Sequence, residues 1–136
     1  MLYPRIIPCL LLKRVGLYKG KKFKNHQYVG DPINAIQIFN TKKADEIILL
    51  DITATQENRT PSVELIEKIA DHCWTPFTIG GGINSLQIAG TLLKAGAEKI
   101  CLNTEALLNP LLVRQIADNY GSQSIAVSID VMKPLF

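Results

Sequence analysis

The sequence predicts an α/β fold with parallel strands in the order βαβαβαβαβ. Two observations carry this expectation. Short aliphatic or β-branched runs recur at Arg5–Leu12, Glu46–Asp51, Phe77–Gly80, Lys99–Asn103 and Ser124–Asp130, each too short for a helix and apolar enough for a buried strand. Between them lie segments with helical spacing: Ile33, Ile36 and Phe39; Val63, Ile66 and Ile69; Leu86, Ala89 and Leu93; Leu112, Ile116 and Ala117.

Local chemistry sets the helix boundaries. Asp31-Pro32, Thr60-Pro61 and Asn109-Pro110 each place a capping oxygen before a proline, whose missing N–H would go unpaired in a first turn. Gly96 and Gly121 follow the third and fourth helical segments, where a left-handed cap favours glycine.

A chain of 136 residues, 47% hydrophobic and 20% charged, has the make-up of one globular domain and argues against disorder. Its apolar stretches, such as Ile6 to Leu12 broken by Pro8, fall far short of the roughly 18 residues of a membrane span. No secretory signal follows Arg5. The net charge of +3 is modest, and its lysines gather at Lys19–Lys24 without aromatic residues spaced to stack bases, which argues against nucleic-acid binding. Cys9, Cys73 and Cys101 are odd in number and widely spaced, fitting neither a disulfide framework nor a zinc site. A reducing, cytoplasmic setting is the expectation, with no metal and no cofactor.

The element order suits either an open doubly wound sheet or part of a closed (β/α)8 barrel. Closed barrels typically need about 250 residues, so residues 1–136 would make a truncated half barrel. The strands around Ile7 and Ile129 would then carry unpaired edges, and self-association of the isolated chain is expected.

Several residues carry candidate chemistry. Thr78-Ile79-Gly80-Gly81-Gly82-Ile83-Asn84-Ser85 places glycines between a strand end and a helix start, where backbone N–H groups can approach an anion. A tight turn is the alternative, and the run is not the G-x-G-x-x-G dinucleotide pattern. Asn103 and Thr104 end the next strand on the same rim, as further phosphate partners or as caps of the following turn. Asp51 and Asp130 end the second and fifth strands, where carboxylates are candidates for acid or base work, with loop ordering as the other role for Asp51.

Strand alternation sorts these positions by face. Asp130 shares a face with Ser128 and Ala126, and Asn103 with Cys101 and Lys99. The corresponding residues are Arg5, Ile7, Cys9 and Leu11 on the first strand, and Glu46, Ile48 and Leu50 on the second. Arg5, Glu46 and Lys99 then gather at the amino ends of their strands. Two cations and one carboxylate at a constriction could gate a pore, although long side chains also plug barrel bottoms.

From Arg5 to Asp130 the segments RIIPCL, GDPINA, LDITAT, TIGGGI, CLNTEA and GSQSIAVSID resemble, in order, the cyclase subunits of imidazole glycerol phosphate synthase. The resemblance implies the N-terminal half of a (β/α)8 phosphate-binding barrel and decides against the open sheet. It also implies a glutaminase partner at the amino-end face, supplying ammonia for use at the opposite end. Arg5, Glu46 and Lys99 match members of the family's ammonia gate. Gly81, Gly82, Asn103 and Thr104 match one of two phosphate sites for a ribulosyl carboxamide. Lys19 falls in the first active-site loop, where the family has a lysine beside the substrate, or is simply solvated there.

The family uses two aspartates as general acid and base. Asp130 matches one, but Leu11 stands at the other position, and leucine transfers no proton. Losing a positioned acid or base typically costs about 10² to 10⁴-fold in rate. Proteins similar to this cyclase with such first strands accompany surface-sugar amidation and pass ammonia to a separate amidotransferase. Small interior residues Cys9, Thr78, Cys101, Ala126 and Ser128 would leave room for ammonia, or are simply core. The leading expectation is therefore a cyclase-family subunit specialised for ammonia delivery. The cyclase of histidine biosynthesis and an inactive fragment are the alternatives.

Overall fold

The computed structural model describes residues 3–133. Along the chain run strands β1 (Cys9–Lys13), β2 (Gly16–Lys21) and β3 (Lys24–Gly30), helix α1 (Pro32–Thr41), strand β4 (Ile47–Asp51) and helix α2 (Val63–His72). They are followed by β5 (Phe77–Gly80), α3 (Leu86–Lys94), β6 (Lys99–Leu102), a short α4 (Thr104–Leu108), α5 (Pro110–Tyr120) and β7 (Ile125–Val127). One sheet holds all seven strands in the order β3-β2-β1-β4-β5-β6-β7. From β1 to β7 the pairings are parallel, each crossover is helical, and the arrangement is that of half a (β/α)8 barrel.

The hairpin β2–β3 is an addition to the expected order. It pairs antiparallel with β1, Leu12 opposite Leu17, and so covers the upper part of an edge expected to be bare. Its turn residues Lys22 and Phe23 have φ of 52° and 61°, a conformation that hairpin sequences normally announce with Asn or Gly. Lys-Phe announces nothing, which is why the hairpin is silent in the sequence.

Several strand limits and two caps also differ from expectation, most at the first and last parallel strands. Regular β1 begins at Cys9 rather than Arg5, although Ile6 and Pro8 carbonyls accept from Asp45 and Ile48 amides and keep the chain beside β4. Regular β7 ends at Val127, with Ser128 N–H still donating to the Leu102 carbonyl. Helix α2 is capped by Ser62, which accepts from the Leu65 amide, not by Thr60. Asn109 precedes α5 without a side-chain cap bond, whereas Asp31 accepts from Ile33 and Asn34 as its position predicts.

The core lies between the sheet and the helices. Leu12, Ile47, Leu49, Phe77, Ile79, Ile100 and Leu102 from the sheet meet Ile36, Ile66, Ile69, Ala89, Leu92, Leu112 and Ile116 from the helices, all buried. Each Leu, Ile or Phe side chain among them gains about 1.5–3 kcal/mol from burial. The alternate strand residues form the opposite, concave face. Leu11, Leu50, Gly80, Cys101 and Ala126 stand in one row across five parallel strands. This face is only partly covered, so the sheet's two sides are set apart as alternation requires.

Candidate functional site

The two ends of the concave face carry different chemistry. At the amino ends of the strands, Glu46 bridges two cations. One of its oxygens accepts from the Arg5 guanidinium, and the other accepts from Lys99 Nζ at 2.8 Å. Lys99 starts two rungs above Glu46, since it pairs with Thr78 and Thr78 with Ile48. Its long side chain reaches back down to the rim. The structure thus brings all three predicted residues into one ion cluster, with Glu46 as its shared acceptor.

At the carboxyl ends, a cleft of about 320 Å³ is lined by Thr55, Arg59, Gly81, Gly82, Asn103 and Thr104, among others. The four residues expected to hold phosphate therefore meet in one cavity. Beside it, Asn103 Nδ2 donates to Asp130 Oδ2 at 2.8 Å, linking the segments that follow β6 and β7. Leu11 lies on the same concave face, paired in register with Leu50.

The glycines at the cleft have a requirement beyond anion approach. Gly81 and Gly82 adopt φ of +113° and +63°, and a Cβ on either would collide with the neighbouring loop. The obstacle would be the Asp51 carbonyl oxygen, 2.2 Å from a Cβ on Gly81, and the Arg59 carbonyl oxygen, 2.1 Å from one on Gly82. Gly82 N–H already donates to Thr55 Oγ1 at 3.2 Å.

Asp51 belongs to the other side of the sheet. It shares the buried face of Ile47 and Leu49, and its side chain is 1% exposed. Arg59 holds both its oxygens, Nη1 to Oδ2 at 2.5 Å and Nη2 to Oδ1 at 3.0 Å. Nη2 also donates to Thr53 Oγ1 at 2.7 Å, and Nε to Glu57 Oε2 at 2.5 Å. The hydrogen bonds to Asp51, foremost, drive the Arg59 pKa upward, so the guanidinium is charged at every accessible pH. This geometry is that of a loop-ordering carboxylate. Lys19 is exposed on β2, opposite Gln27, and is not brought to the cleft.

Arg59 and Thr55 are the site residues that sequence reading passed over. Both sit in an irregular polar loop where no periodicity points to them.

Comparison with known proteins agrees with the geometry. The model of the histidine biosynthesis protein family matches residues 5–134. The chain belongs to this family. It is 53% identical over 133 residues to a Pseudomonas aeruginosa protein with the provisional name imidazole glycerol phosphate synthase subunit hisF2, covering 98% of this chain and 53% of that protein. It is 44% identical over 133 residues to imidazole glycerol phosphate synthase subunit HisF of Streptococcus mutans, again covering 98% and 53%. The chain spans about half the length of the curated relatives it matches.

The family membership accounts for the half barrel and for the order of the landmarks. Among the described residues no helix is long and apolar enough to cross a membrane, and no group of His, Cys, Asp and Glu has the arrangement of a metal site.

Proposed function

We propose that residues 1–136 act as the N-terminal half of a cyclase-type barrel in a glutamine-dependent, ammonia-channelling synthase. A glutaminase docks at the amino-end face, ammonia enters past Arg5, Glu46 and Lys99, and a phosphorylated substrate or a downstream amidotransferase receives it at the opposite end. The observation that carries this reading is the separation of two polar groups along one concave face. The Glu46-centred cluster occupies one end, and the Gly81–Asn103 cleft with Asp130 occupies the other.

Leu11 favours delivery of ammonia over cyclisation. An acid–base pair needs a second proton-transferring group opposite Asp130, and the concave-face position in β1 holds an aliphatic side chain beside Leu50. Surface-sugar amidation is the pathway class that suits such a conduit. The second reading, cyclisation in histidine biosynthesis, is favoured by the names of the relatives.

Complementation separates the two. This chain is co-expressed with the second half of a relative's barrel and a glutaminase subunit in a histidine auxotroph lacking its own cyclase. No growth is expected with Leu11 and growth with Leu11→Asp; growth with Leu11 intact would overturn the delivery reading. Stimulation of glutamine hydrolysis on mixing supports a working subunit, and its absence points to an inactive fragment.

A further inference from the structure

The residues that form the partly buried ion pair, Asp51 and Arg59, are the same residues whose backbone carbonyls lie against Gly81 and Gly82. Side chains and main chain are therefore coupled at both ends of one loop, residues 51–59. Between those ends, Thr53 accepts from the Arg59 guanidinium, Ala54 is fully buried, and Thr55 accepts from the Gly82 amide. Arg59 N–H donates to the Ala54 carbonyl at 3.0 Å, closing the loop upon itself. A ring of this kind has few ways to move without breaking a charge-assisted hydrogen bond, which is worth about twice a neutral one.

We propose that Arg59 is a positioning residue of the anion cleft. Its fork-like grip on Asp51 holds loop 51–59 as the floor beneath the Gly81–Gly82 turn, and so sets where the cleft's amides and the Thr55 hydroxyl point. Four of the five guanidinium N–H groups of Arg59 are engaged by Asp51, Thr53 and Glu57, which leaves one for any other partner, so its main role is to hold the loop. A lysine would supply charge at Asp51 but not the planar fork. The proposal rests on the cleft being a phosphate site.

Equilibrium dialysis of the full chain against labelled inorganic phosphate tests it, using wild type, Asn103→Ala, Arg59→Met and Arg59→Lys. Each is measured well below its own melting midpoint so that the folded fraction is the same. Arg59→Met is expected to weaken phosphate binding about tenfold or more, with partial rescue in Arg59→Lys, as for the loss of bonds to a charged group. Wild-type affinity in both Arg59 variants, with Asn103→Ala weakened, would overturn the positioning role alone. No binding by wild type, or full binding by Asn103→Ala, would instead overturn the cleft reading beneath it. If Arg59→Met fails to fold, Arg59→Lys decides: unchanged affinity refutes the role, and a loss of about threefold or more upholds it.

Discussion

Asn103 donates its amide N–H to Asp130 across 2.8 Å, tying together the segments that follow β6 and β7 at the carboxyl rim. The bond leaves the Asn103 carbonyl oxygen and its second N–H for other partners, since an amide has two donors and an acceptor. One residue can thereby orient the candidate acid or base while lining the cleft.

Removing the carboxylate should be costlier than removing the amide. In a barrel completed by a second half, with Asp at position 11, Asp130→Asn is expected to lower ammonia-dependent turnover by about 10² to 10⁴-fold. Asn103→Ala should chiefly raise KM for the phosphorylated substrate. Steady-state kinetics with free ammonia measure both, and a Asp130→Asn enzyme of near-normal turnover would remove Asp130 from the chemistry.

At the opposite rim, exposure ranks the partners of Glu46. The Arg5 side chain is 64% exposed, whereas Lys99 is 28% and Glu46 13% exposed. Water screens the first pair, so Arg5→Met should cost less than about 0.5 kcal/mol. Glu46→Gln leaves the Lys99 ammonium without its carboxylate and should cost about 1–2 kcal/mol. Urea midpoints at constant slope distinguish them, and equal losses would contradict this ranking.

Partial desolvation pushes the thiols of Cys9, an exposed residue, and of half-buried Cys101 above their ordinary value of 9.0; for Cys101 a lesser contribution comes from Cys9, offset by a hydrogen bond involving Ser128. The folded state therefore holds these protons more tightly than the unfolded chain. Their stabilising contribution is complete below pH 9 and is lost as the pH rises through the raised values. Unfolding free energies measured from pH 7 upward should show an alkaline decline that flattens in Cys101→Ala, and identical limbs in the two proteins would count against it.

Helix α3 approaches α5 through Gly90, where an added Cβ would lie 2.1 Å from the Tyr120 hydroxyl oxygen and 3.0 Å from its ring. Gly90→Ala should destabilise by about 1–3 kcal/mol through overpacking. Tyr120→Phe removes the closest atom, so the alanine should cost less in that background. A double-mutant cycle gives the coupling, and strict additivity would show that the side chain is not the obstacle.

Part of this architecture is legible in the residue spacing alone. Ile47 and Leu49 alternate with Ile48 and Leu50, and that period assigned Glu46, Lys99 and Asn103 to the concave side correctly. The same parity placed Asp51 with the buried set, yet its position at a strand end made it look like a rim carboxylate. Only the fold supplies Arg59, eight residues on, as the partner that makes its burial tolerable.

The sequence by itself determined the parallel βα alternation, the two chemical ends of the concave face and the aliphatic Leu11 on that face, because periodicity and strand polarity are local properties of the chain. Tertiary structure alone decided the β2–β3 hairpin, the shared acceptance by Glu46 and the Asp51–Arg59 floor under the glycines. Those depend on positive-φ turns without glycine and on side chains meeting across loops, and neither leaves a pattern in residue spacing.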